Sequence, residues 1–203
     1  MKTPIFGRSG LRLSAMLLAA LPLAGCISFG AEPPDTLLTL SPTATVPVGQ
    51  EQNSANAKAI VVTVPVTPAS LAVARVPVRT TATSIAYVKD AQWSEPPARL
   101  FARLLLDTLA ASAGRVVVSQ VQAVGETNDQ LDGELRTFGL DATTREAVVT
   151  YDASLSRSGK PTTEKRRFEA RVPVAAIDAA SVGPAMNQAA NQVVGEVATW
   201  VGR

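Results

Sequence analysis

EAVVTYDASLSR, Glu146 to Arg157, alternates without a break. On an extended chain Val148, Thr150, Asp152 and Ser154 fall on one side. Val149, Tyr151, Ala153 and Leu155 fall on the other. A period of two with one apolar face predicts a strand that is dry on one side and wet on the other. Its neighbours extend the pattern. Ser158-Gly159-Lys160-Pro161 has turn chemistry, so Glu164 to Val174 is the returning strand. Gln130 to Ala142 is the strand before. The three form a meander.

A half-wet meander needs a cover on its apolar face. Ala179 to Val201 provides one, with Val182, Met186, Ala189, Val193, Val197 and Trp200 recurring every three or four residues. Pro184 suits its first turn. The opposite face carries Asn187, Gln188, Asn191, Gln192 and Glu196. A second helix follows Ser94-Glu95-Pro96-Pro97, where serine caps, glutamate suits the positive helix end and proline fits the first turn. Leu100, Phe101, Leu104, Leu105 and Leu109 share its apolar face, and Gly114 ends it. Shorter strands are predicted at Asp35–Ser41, Lys58–Val66, Arg75–Thr80, Ser84–Lys89 and Arg115–Gln120. Thr43 to Ala57 has no period and is predicted to be a flexible loop. The expected fold class is α+β: a mainly antiparallel sheet packed by two α-helices, one mid-chain and one C-terminal.

The N-terminus does not belong to that fold. MKTPIFGRSGLR is a basic leader, and Leu13 to Gly25 is apolar and uncharged. The run is too short to span a bilayer, which takes about 20 apolar residues, and it ends in small residues, as secretory signals do. Leu23-Ala24-Gly25-Cys26 resembles the lipobox of bacterial lipoproteins. That resemblance implies cleavage between Gly25 and Cys26, a diacylglyceryl group on the thiol and an acyl group such as palmitate on the new amino terminus. Two or three chains hold a protein on a bilayer where one does not. The expected segments are a signal peptide at 1–25, a lipidated tether with the first strand and loop at 26–57, and a globular domain at 58–203. Ile27 follows the cysteine, and the absence of Asp there favours the outer membrane in enteric-type sorting. Cleavage would remove three of the 19 basic residues and leave 16 against 17 acidic ones. With no basic stripe and few aromatic rings, nucleic acid is not an expected partner.

The inventory for chemistry is thin. The chain has no histidine and one cysteine. Ser-His-Asp and Cys-His arrangements are therefore excluded, and so is a zinc site built on those residues. There is no phosphate-cradling glycine loop. Asp132 and Glu134 share one face of a strand, and Ser158 and Lys160 share a turn; both pairs read as solvated surface. No catalytic or metal-binding residue and no cofactor is expected, and the chain is not expected to be an enzyme. Three features have a binding reading beside an ordinary one. Trp93 is either a partner anchor or a lid on the core. Lys165-Arg166-Arg167 is either a contact for anionic groups or an edge guarded against aggregation. The apolar face from Val182 to Trp200 is either a lipid groove or the packing surface of a helix.

The order of these pieces resembles a known family. A lipobox, DTLLTLSP, then AIVVTVPVTPASLAVARVPVRTTATSIAYVKDAQWSEPPARLFARLLLDTL, a meander and a terminal helix ending in Trp look like the PqiC-like, ABC-type transport auxiliary lipoproteins. The most specific part runs from Val64 to Leu109, with Leu71, Arg79, Tyr87, Trp93, Glu95 and Pro96 in the pattern. Ser70 stands where the family often has an aromatic, and TLLTL lacks the usual tyrosine. The resemblance implies a non-catalytic adaptor, lipid-anchored and facing the periplasm. Its partners would be an MCE-domain protein and an ABC permease with its ATPase, in a system moving lipids or other hydrophobic molecules across a Gram-negative envelope. Arg79, Tyr87, Trp93 and Glu95 are the candidate partner contacts, and a homo-oligomer is a further candidate. The alternatives are a periplasmic lipid-binding carrier and a structural or assembly lipoprotein of the envelope.

Overall fold

The longest strand organises the sheet. In the computed structural model, which describes residues 35–52, 59–112, 115–120 and 128–202, this strand is β5, Asp129–Asp141. The others are β1 Ala59–Val62, β2 Arg75–Thr81, β3 Ser84–Gln92, β4 Val116–Ser119, β6 Glu146–Ser156 and β7 Thr163–Pro173. Along one edge β5 pairs antiparallel with β6, from Gln130↔Ser156 to Asp141↔Glu146. β6 pairs in turn with β7. The other edge of β5 is shared by two strands. Ile60 to Val62 run parallel to Asp129 to Leu131, and Val78 and Arg79 run parallel to Leu140 and Asp141. β4 then adds parallel to β1, and β3 antiparallel to β2.

The division of that edge follows from two prolines. Pro65 and Pro68 have no N–H to give a ladder. Between them only Val66 stays on β5, donating to the Gly133 carbonyl (3.0 Å) and accepting from the Leu135 N–H (2.9 Å). A single 3₁₀ turn at Ala69–Leu71 leads the chain into β2. The fold is α+β as the patterns predict, with one difference. The sheet is mixed, because β1 and β2 reach β5 through connections whose partners local patterns do not reveal.

β5 changes phase midway. Leu131 and Leu135 point to the core, then Phe138 and Leu140 do. Arg136 is the extra residue between the pairs Leu135↔Tyr151 and Thr137↔Thr150, a bulge that shifts the alternation by one. Two close approaches also shape β5. The Tyr151 ring lies over Gly133, where a Cβ would come within 2.5 Å of it, and its hydroxyl donates to the Asp132 carbonyl at 3.1 Å. Gly139 lets the backbone of Pro77 come so near that any Cβ would strike its carbonyl.

Both helices cover one face. α1, Pro97–Ser112, packs on β1, β4 and the second helix. α2, Ala179–Val201, lies on β6 and β7. Asp178 caps α2, accepting from the Ser181 N–H at 2.7 Å. Rings tie the layers: Phe101 of α1 meets Tyr151 at 5.1 Å, and Trp200 of α2 meets Phe168 at 5.6 Å between centroids. Each fully buried large apolar side chain contributes about 1.5–3 kcal/mol, and the α2 face from Val182 through Val201 is buried in this core. That face is packing surface and not an open groove.

A buried ionic clasp closes one end. Asp129, 4% exposed, pairs with Arg115 (12%) at 2.6 Å, accepts from the Ser158 N–H at 2.8 Å and lies 4.0 Å from Arg157. Burial alone would raise this carboxyl, but the bonds from Arg115 and Ser158 outweigh it and hold it below the ordinary range.

Asp35 to Ser41 differs from its predicted strand. Only Leu38 bridges the sheet, beside Trp93. Its N–H donates to Gln92 at 2.7 Å and its carbonyl accepts from Ser94 at 2.8 Å. Beyond it the chain leaves the sheet for α2. The Ser41 and Thr43 N–H groups donate to the side chains of Asn187 (2.8 Å) and Asn191 (2.9 Å), and Asn191 donates back to the Ser41 carbonyl at 2.9 Å. Gln52 reaches the Ala110 carbonyl of α1 at 3.1 Å. The segment is a strap over the helical layer. The described part of the predicted loop, 43–52, carries no helix or strand.

Candidate functional site

Alternation places the polar half of the meander on the face away from the helices. Asp132 and Glu134 of β5, Thr150, Asp152 and Ser154 of β6, and Lys165, Arg167, Glu169 and Arg171 of β7 lie there. Among the described residues the face holds at least two hollows. The larger, about 660 Å³, is rimmed by Val64 and Val66 on one side and by Asp152, Lys165 and Arg167 on the other. The smaller, about 220 Å³, lies between Arg79, Ile85 and Gly139 and the Thr150–Glu169–Arg171 group.

Most of the acids here are committed. Arg167 grips Asp152 with both prongs, at 2.6 and 2.7 Å, and Arg136 stands 3.6 Å from Asp152 and 3.3 Å from Glu134. The Arg167 bond holds the Asp152 carboxyl below the ordinary range. Arg171 bridges Glu169 (2.8 Å) and Glu146 (3.3 Å), and the Thr150 hydroxyl donates to Glu169 at 2.9 Å. Partial burial would raise Glu169, but these bonds outweigh it and lower it. Asp132 accepts from Thr63 at 2.9 Å and Gln130 at 3.0 Å. A carboxylate held ionised by arginine is a poor proton donor near neutrality. The arrangement is suited to recognition through charge and hydrogen bonds.

Residues 38–198 match the model of the ABC-type transport auxiliary lipoprotein component family. The chain belongs to this family. The match starts at Leu38, so the strap is part of the family domain. Among solved structures, a protein from Xanthomonas campestris assigned to the family DUF330 has a TM-score of 0.69 at 20% identity, over 82% of this chain and 94% of that one. An uncharacterized protein has a TM-score of 0.58 at 18% identity, over 72% and 90%. Both likenesses show the fold. Among curated proteins none matches. No helix among the described residues is long and apolar enough to cross a membrane.

The family-pattern residues do not converge on one spot. Arg79 and Tyr87 lie on the β2–β3 hairpin. Arg79 pairs with the nearly buried Asp141, and that bond, with Thr143 and Thr144 N–H groups at 3.0 and 3.4 Å, lowers the Asp141 carboxyl. The Arg75 guanidinium sits 4.2 Å from the centre of the Tyr87 ring. Trp93 is 1% exposed and packs on Phe138 at 5.2 Å, so it sits in the core. Glu95 pairs with Arg103 at 2.6 Å near the start of α1. The cationic run divides: Arg167 belongs to Asp152, while Arg166 lies 4.9 Å over the Phe168 ring. Gly25 and Cys26 lie outside the described residues. Sequence reasoning missed the role of Asn187 and Asn191. Two amides four residues apart on a helix face were the available signal.

Proposed function

We propose that the chain is a membrane-anchored, non-catalytic adaptor of an ABC/MCE-type system that moves lipids or other hydrophobic molecules across a Gram-negative envelope. Cys26 carries the lipid, the body faces the periplasm, and the anchor lies in the outer membrane. ATP hydrolysis belongs to the permease-associated ATPase, and an MCE-domain protein is the direct partner. The observation that carries this reading is the family match over 38–198. The lipobox ending at Cys26 supports the anchor, and the arginine-paired acids of the open face support recognition over catalysis. Charged side chains border both hollows of the open face.

Membrane fractionation and co-purification test the proposal. Wild-type protein should sediment with membranes and bring an MCE-domain protein with it. Cys26→Ala protein should appear as a soluble or unprocessed form. Wild-type processing and membrane attachment of Cys26→Ala would rule out the lipid anchor.

A further inference from the structure

Among the described residues the sheet has three outer strands, and they are not alike. β4 has four residues. β3 is interrupted: its register against β2 slips between Gln92 and Tyr87, Asp90 takes φ 55°, and Leu38 occupies the Gln92 carbonyl at its end. Short, bulged or covered strands are the ordinary ways a protein blunts an edge. β7 is eleven residues long and, among the described residues, neither bulged nor covered by another strand; its guards are the charges of Lys165, Arg166 and Arg167 and the proline at its end. Its register against β6 runs unshifted from Ser156↔Thr163 to Glu146↔Pro173, and among the described residues no strand pairs with its other side.

The direction of its backbone groups can be read off. The Val174 N–H donates to the Arg145 carbonyl at 2.9 Å, one step beyond the Glu146↔Pro173 pair. In an antiparallel ladder, hydrogen-bonded and non-bonded pairs alternate. Val172, Ala170, Phe168, Arg166 and Glu164 therefore turn their N–H and C=O toward β6. Thr163, Lys165, Arg167, Glu169 and Arg171 turn theirs outward. Pro173, which has no N–H, falls at an outward position, as this phase requires.

The side chains along that edge specify a visitor. On the open face Lys165 enters no ion pair among the described residues, while Arg167, Glu169 and Arg171 are paired with neighbours on the sheet. On the helix side Arg166 enters no ion pair among the described residues either, and Phe168, Ala170 and Val172 are buried against the core beside Trp200, which leaves that border uncharged. We propose that β7 is a docking edge for an extended segment of a protein partner whose side chains alternate, acidic on the open face and apolar on the helix side. Main-chain bonds would give the affinity and the alternating side chains the selectivity, the logic of strand addition. The inference stands apart from the transport reading, because the edge takes such a strand whichever system the chain serves.

Lys165→Pro removes an outward N–H and leaves the β6 ladder intact. Lys165→Glu keeps the backbone and reverses the charge. The probes are two short fluorescent peptides, one alternating glutamate with valine and one alternating lysine with valine, titrated onto the full chain in detergent and followed by anisotropy. The glutamate peptide should bind and the lysine peptide should not. Each substitution should weaken binding about tenfold, with thermal melting confirming that both variants fold. Amide exchange should slow at Lys165, Arg167 and Glu169 on binding while Arg166, Phe168 and Ala170 keep their rates. Equal binding of both peptides, unchanged binding by Lys165→Pro, or exchange protection without the alternation would overturn the proposal. So would sedimentation showing that a second copy of the chain takes the edge and excludes the peptide.

Discussion

Asp129 shows how much one carboxylate can hold. It joins the lead into β4, the start of β5 and the β6–β7 turn through Arg115, Ser158 and Arg157. Both arginines are mostly buried, at 12% and 15% side-chain exposure. Removing the acid leaves the buried Arg115 without its acidic partner, while Arg157 keeps Glu164 at 3.0 Å, so Asp129→Ala should cost about 3 kcal/mol in urea unfolding. The pH dependence follows from the same group and from Asp141. Both carboxyls are lowered in the folded chain. Their contribution is complete above the unfolded value, near 3.9, and is lost as pH falls through the folded value. With no histidine in the chain, the unfolding midpoint should stay flat from neutrality to about pH 5 and fall below it. In Asp129→Ala the acid limb should be shallower. A midpoint that declined between pH 8 and 6 would contradict this account.

Elements with a repeating pattern were legible in the sequence. The meander, α1 and α2 each bury one face against one core, so their periods of two and 3.6 survive in the residues. The rest depends on partners far along the chain. The parallel seats of β1 and β2 on β5 are set by Pro65, Pro68 and the glycine at 139, none of which marks its partner. The Arg136 bulge hides half of the alternation in β5. The strap was unreadable as such, because Ser41 and Thr43 are held by amides nearly 150 positions away. Charge at the site was visible in type but not in pairing: nothing local distinguishes Arg167, locked to Asp152, from Lys165. The strap makes its own prediction. Asn187→Ala with Asn191→Ala should cost about 1–2 kcal/mol and speed amide exchange at Ser41 and Thr43, leaving the β6–β7 ladder protected. Unchanged exchange at both positions would mean the two amides do not hold the strap.

For the whole molecule, the division between a packed helical face and a charged open face matters most. A chain of the ABC-type transport auxiliary lipoprotein component family, tethered at Cys26, would present the open face and the β7 edge to its partners while α1 and α2 keep the core closed. On the proposed reading the catalytic work of transport would lie in other subunits, and this one would contribute position and contact. The most direct measurement is crosslinking in intact cells followed by mild detergent extraction of a tagged, lipidated chain and mass spectrometry of what accompanies it. The account predicts an MCE-domain protein crosslinked to the open face or to β7, together with an ABC permease and its ATPase. Recovery of the chain in the membrane fraction without any of these partners would contradict it.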